Sequence, residues 1–143
     1  MLFRSPETQV YLTRLENDLV ELLDASVSGT LDRSELKWSG TASVCVVMAS
    51  GGYPGAYARG KAITGLTAAR ALPDTMVFHA GTTRAGDDIV TSGGRVLGVT
   101  AWAADLPRAQ TAAYAAVAQI EFDGAQYRRD IAAKALRPPT NPA

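Results

Sequence analysis

Ile89-Val90-Thr91-Ser92-Gly93-Gly94-Arg95-Val96-Leu97-Gly98-Val99-Thr100-Ala101-Trp102 is the stretch that decides the fold. Apolar and β-branched residues flank Ser92-Gly93-Gly94 with no helical spacing, which is the pattern of two strands and a break. Two adjacent glycines supply the positive φ a tight turn needs, so the stretch reads as a hairpin with strands near 88–92 and 95–102. Working outward, Ala42 to Met48 is rich in valine, has no helical period, and reads as a buried strand over 42–49. Ser50-Gly51-Gly52-Tyr53-Pro54-Gly55 ends it in a tight loop. Thr75 to Ala80 reads as a second buried strand, Gly81 to Asp88 as a polar turn region, and Lys61 to Thr64 as a short edge strand.

Helical periodicity appears at both ends. From Pro6 to about Ser28, Leu12, Leu15, Leu19, Leu22 and Leu23 recur at three- and four-residue steps, which predicts one helix near 7–28. Ser5 suits its cap, Pro6 its first turn, Glu7 its positive end, and Gly29 its stop. Asp105 to Ile120 predicts a second long helix with Leu106, Ala109, Ala113, Val117 and Ile120 on one stripe, capped by Asp105 with Pro107 in its first turn. Leu66 to Leu72, stopped by Pro73, and Tyr127 to Leu136 predict two short helices. The proline-rich tail 137–143 lacks the apolar content to fold. Helices and hairpin strands without a regular βαβ rhythm give an α+β domain with a small, mainly antiparallel sheet and flanking helices.

Composition excludes several classes. At 143 residues the chain makes one domain's worth of core. Fourteen basic residues balance fourteen acidic ones, so no net field favours nucleic acid or an anionic membrane. No apolar run approaches the roughly 20 residues of a membrane span, and Met1-Leu2-Phe3-Arg4-Ser5 has no secretory apolar region. The lone Cys45, inside a valine run, excludes an intramolecular disulfide and a cysteine-based zinc site, and the setting reads as cytoplasmic.

Chemistry is sparse. His79, the only histidine, sits on a strand beside Phe78, where a structural role is the commoner one. Cys45 reads as an inert core thiol. No Gly-x4-Gly-Lys-Ser/Thr loop is present, no Ser-His-Asp set follows from spacing, and the carboxylates have no metal-ligand spacing. Two glycine loops stand out. Ser92-Gly93-Gly94-Arg95 offers backbone N–H groups, a hydroxyl and a guanidinium that can grip a phosphate, or it is simply a turn. Gly51-Gly52-Tyr53-Pro54-Gly55 is a turn or a substrate-facing loop. Arg128-Arg129-Asp130 reads as a solvated or locally paired cluster.

Four blocks carry a resemblance when read in order: Pro6-Glu7-Thr8-Gln9, Val46 to Gly55, Val77-Phe78-His79-Ala80-Gly81-Thr82, and Val90 to Thr100. Tyr127-Arg128-Arg129-Asp130-Ile131 adds a fifth. From Pro6 to about Leu136 the chain resembles the C-terminal part of the glycinamide ribonucleotide synthetase family, which are ATP-grasp ligases. The resemblance implies a barrel-sandwich-hybrid-like domain over 31–136, preceded by a helix over 6–30 that continues from an ATP-grasp domain. It implies a ligase of de novo purine synthesis that joins glycine to 5-phosphoribosylamine with ATP and Mg2+ (or Mn2+). The nucleotide lobes of such proteins lie upstream of the matching stretch, so neither ATP nor metal is expected to bind here, and no catalytic or metal-ligating residue is assigned. The implied role is a substrate-side wall, with Glu7, Gly51, Gly52, Tyr53, Pro54, Thr82, Ser92, Gly93, Gly94 and Arg95 as its binding residues. The partners are the two small substrates and the ATP-grasp lobes, with no nucleic acid and no membrane.

The start departs from the family pattern. Phe3-Arg4-Ser5 stands where Phe-Gly-Asp belongs, and no Glu-x-Asn pair precedes it. Leu2-Phe3-Arg4-Ser5 is also one translation of a common sequencing-library adapter, so residues 1–5 are expected to be a non-native start on a truncated frame. A stand-alone ligand-binding or interaction module is the competing reading, and the matching piece of an ATP-grasp carboxylase is a third.

Overall fold

A computed structural model describes residues 7–137. The expectations for the Ser5 cap, Pro6, the non-native start 1–5 and the tail beyond Arg137 lie outside those residues. Among the described residues, no helix is long and apolar enough to cross a membrane.

A three-stranded antiparallel sheet forms the centre, in the order β1–β5–β2, from β1 (Ala42–Ala49), β5 (Arg95–Ala103) and β2 (Thr75–His79). The register sets Val46 beside Val99 beside Val77, and Met48 beside Leu97 beside His79. Side chains alternate between faces along each strand. Val44, Val46, Val77, Val99 and Ala101 therefore share one face, and helix α4 (Leu106–Val117) lies on it. Ala109, Ala113 and Ala116 are fully buried there because their small side chains let the helix come close to the sheet. The expected stripe holds, with Val117 and Ile120 buried and Leu106 partly so. Asp105 caps the helix by accepting from the Arg108 N–H at 2.9 Å.

The opposite face carries Cys45, Gly98 and Thr100, and α1 (Glu7–Leu12) rests across it. Gln9 lies over Gly98, and the Thr13 and Ser43 hydroxyls are 2.8 Å apart. Burial pushes the Cys45 thiol up from its ordinary value, against a smaller opposing hydrogen bond from Thr100, so it stays an inert thiol.

Four expectations are corrected. First, 7–28 is not one helix. It breaks after Leu12 and resumes as α2 (Leu19–Val27). Asp18 caps α2 by accepting from the Val20 and Glu21 N–H groups. Asn17 is drawn away to the 35–37 segment, with its Nδ2 on the Glu35 carbonyl and its Oδ1 on the Lys37 N–H. Gly29 ends α2 as read, at φ 68°. Second, 88–92 and 95–102 do not pair with each other. β4 (Asp88–Thr91) pairs instead with β3 (Thr82–Ala85), a strand inside the stretch read as a turn region, and together they form a second, two-stranded sheet. Third, Tyr127–Leu136 forms turns rather than a helix, and Ala132 holds a left-handed φ of 64°. Fourth, 61–64 contributes only isolated bridges, Ala62 to Val90 and Thr64 to Glu121. The short helix α3 (Leu66–Arg70) precedes β2 as expected.

Candidate functional site

In an antiparallel sheet the ends of β1 and β2 lie beside the start of β5. The segments 50–55, 79–82 and 92–95 therefore meet at one end of the central sheet. Hydrogen bonds tie them together: the Ser50 N–H donates to the Gly94 carbonyl at 2.8 Å, and its hydroxyl to the Gly93 carbonyl at 2.9 Å. The Gly81 N–H reaches the Arg95 carbonyl at 2.8 Å. Helix α1 crosses the neighbouring face with Thr13 over Ser43 and Gln9 over Gly98, so its N-terminal residue Glu7 points to this same end.

Ser92-Gly93-Gly94 is a crossover between two sheets, not a hairpin turn. Neither glycine takes a left-handed φ, and what they provide is closeness. A Cβ built on Gly81 would stand 2.6 Å from Gly93 Cα and 2.5 Å from the Arg95 carbonyl oxygen. A Cβ on Gly94 would overlap the Tyr53 ring, so that ring packs directly against the bare backbone. The Ser92 and Gly93 N–H groups both donate to the Gly81 carbonyl, at 2.8 and 3.1 Å. Those two donors are engaged within the chain, where they hold the crossover together.

Tyr53 also meets Tyr57 edge-on at 6.3 Å, and the Arg59 guanidinium sits 5.8 Å from the Tyr57 ring. The Tyr53–Pro54 peptide is cis. Gln126 fixes the loop from outside: its backbone bridges Ala49, and its Nε2 donates to the Tyr53 carbonyl at 2.9 Å. Beside Thr82, the His79 Nε2 is 2.8 Å from an Arg70 terminal nitrogen, and its Nδ1 is 3.0 Å from the Thr82 hydroxyl. A guanidinium only donates, so Nε2 accepts and the proton sits on Nδ1. Partial burial, then the Arg70 charge, pull the His79 pKa below its ordinary value and keep the ring neutral.

The structure thus gathers the expected residues Gly51, Gly52, Tyr53, Pro54, Thr82, Ser92, Gly93, Gly94 and Arg95 at one end, with Glu7 directed toward it. Ser50, Tyr57, Arg70 and Gln126 join them unanticipated. Ser50 at the mouth of a glycine loop was a readable signal, whereas nothing local in the sequence marks Gln126. An open groove of about 650 Å3 between the end of α4 and residues 121–127 contains none of the expected residues. Among the described residues no three His, Cys, Asp or Glu side chains are placed to hold a metal ion. Arg128 and Asp130 pair locally at 2.7 Å, as read.

Residues 43–134 match the profile of the phosphoribosylglycinamide synthetase family's C domain. The chain belongs to that family. It is similar to the phosphoribosylamine–glycine ligase of Streptomyces coelicolor, 53% identical over 136 residues that make up 93% of this chain and 33% of that protein. The ligase of Vibrio cholerae is 48% identical over 134 residues, 94% of this chain and 31% of that protein. The crystal structure of the Thermotoga maritima phosphoribosylamine–glycine ligase matches with a TM-score of 0.67 at 32% identity, over 87% of this chain and 30% of that one. The chain therefore spans about a third of the length of the synthetases it matches, their C-terminal part, and has their α+β fold.

Proposed function

We propose that this chain is the substrate-side wall of a phosphoribosylamine–glycine ligase, the enzyme that makes glycinamide ribonucleotide, ADP and phosphate from 5-phosphoribosylamine, glycine and ATP. The observation that carries the reading is the meeting of three separate loops at one sheet end, in a chain whose relatives are ligases of that name. There the exposed Tyr53 ring offers an apolar surface for a sugar. The Thr82 and Ser92 hydroxyls offer hydrogen bonds, and Arg95 offers a charge for the phosphate of 5-phosphoribosylamine. Glu7 brings a carboxylate toward the amines. ATP and Mg2+ (or Mn2+) belong to the remainder of the longer ligase, so the isolated chain is inactive. The working protein is cytoplasmic, and its partners are small molecules.

The test is a chimera in which this chain replaces the matching stretch of the Streptomyces coelicolor ligase. Glycinamide ribonucleotide synthesis by the chimera supports the reading. A folded chimera that binds ATP but makes no product overturns it.

A further inference from the structure

We infer that Arg70, His79 and Thr82 form a hydrogen-bond relay of fixed polarity, whose last member, the Thr82 hydroxyl, donates to an anionic oxygen of a substrate. The inference rests on the functional reading above and adds two positioning residues to it, Arg70 and His79. Each member comes from a different element. Arg70 ends α3, which is pinned to the start of β2 because the Thr75 hydroxyl lies 3.1 and 2.8 Å from the Ala69 and Leu72 carbonyls. His79 ends β2, on the same face as Val77 two residues before it. Thr82 opens β3 directly after Gly81, whose N–H is on the Arg95 carbonyl and whose own carbonyl takes the Ser92 and Gly93 N–H groups. The relay therefore starts on a helix and finishes beside the crossover.

Its direction follows from what each group can donate and accept. A guanidinium has no acceptor, so at 2.8 Å Arg70 donates to His79 Nε2. A neutral imidazole carries one N–H, and an accepting Nε2 puts that proton on Nδ1. Nδ1 then donates to the Thr82 oxygen at 3.0 Å. The reverse, with Thr82 donating to Nδ1, would set an Nε2–H against the guanidinium, donor facing donor. The Thr82 oxygen is thus already accepting, and its own proton is left to be given away. Among the described residues the chain supplies no acceptor for that proton. Bonds running in one direction polarise each other, so a hydroxyl fed by a ring that is itself paired with a cation is a stronger donor than a bare one. An anion, which only accepts, is the group that suits it. The phosphate of 5-phosphoribosylamine and the carboxylate of glycine both have this chemistry.

Two measurements test the relay. The chain has a single histidine, so long-range 1H–15N NMR of the 143-residue protein at mildly alkaline pH reads its tautomer directly. The proton should be on Nδ1, and a ring protonated on Nε2 overturns the inference. Steady-state kinetics of the same chimera read the function. Thr82→Val keeps the side chain's shape and removes the donor, so kcat/KM for the substrate that owns the anion should fall on the order of tenfold, with the KM for ATP unchanged. Thr82→Ser should stay within about twofold. A loss confined to 5-phosphoribosylamine assigns the phosphate, and one confined to glycine assigns the carboxylate. His79→Phe should lose about threefold or more, and His79→Gln should recover most of that, because its amide accepts from Arg70 and donates to Thr82. On a Thr82→Val background, His79→Phe should cost nothing further. Flat kinetics for Thr82→Val, or an undiminished loss from His79→Phe on that background, overturns the inference. A folded chimera that makes no product refutes the functional reading instead, and the tautomer still decides the polarity.

Discussion

A methyl group on Gly94 has no place to go, because the Tyr53 ring already occupies it and the Tyr57 ring edge is 3.1 Å from the same point. Gly94→Ala should destabilise the chain by ~1–3 kcal/mol through overpacking. Adding Tyr53→Ala should restore much of that loss, so a denaturation double-mutant cycle should be clearly non-additive. Additive losses would mean that the ring does not rest on the glycine. His79 gives a second prediction. Its folded pKa is lowered, so the unfolded chain takes up a proton first as pH falls. The stabilising contribution is complete above the ordinary imidazole value near 6.5 and fades as pH drops below it toward the folded value. Tm measured against pH should decline through that window, and His79→Gln should flatten the decline. Much at this scale was legible. The glycines of the 92–95 segment read as special, and Gly93 and Gly94 do have close neighbours. Why they are special was not legible, because closeness to Gly81 and Tyr53 is set by segments some ten and forty residues away.

At the scale of elements, the start of α4 was legible because its signals are local: Asp105 before the helix, Pro107 in the first turn, and small or apolar residues at helical spacing; the helix ends at Val117, three residues before the expected Ile120. Asp105→Ala removes the acceptor for the Arg108 N–H and should cost about 1 kcal/mol, read as a shift in denaturant midpoint at constant m-value. An unchanged midpoint would show that the cap contributes nothing. The errors came where a local signal met a distant partner. Strand character at 88–91 and 95–103 was right, but the pairing was wrong. Residues Thr82–Ala85, polar enough to resemble a turn, claim β4 as their partner, while β1 and β2 enclose β5. The leucine stripe of 7–28 promised one helix, but Asn17 and Asp18 have side chains that compete for backbone groups, and they divide it.

For the whole molecule, the family and the α+β class were legible from ordered sequence blocks, while the convergence of those blocks at one sheet end was not, since spacing alone does not give strand order. Under the proposed function, substrate contacts lie on this chain, and nucleotide and metal on the rest of the ligase. Titrating the isolated 143-residue chain with magnesium-ATP in a calorimeter should give no specific heat, and micromolar binding would contradict that division. The most direct measurement is steady-state kinetics of the Arg95→Ala chimera. If the Arg95 guanidinium meets the phosphate of 5-phosphoribosylamine, losing a charge-assisted bond removes roughly 1.5–3 kcal/mol. That predicts an about ten- to hundredfold fall in kcat/KM for 5-phosphoribosylamine with the KM for ATP nearly unchanged. Flat kinetics for every substrate, or an equal loss for ATP, would contradict the account.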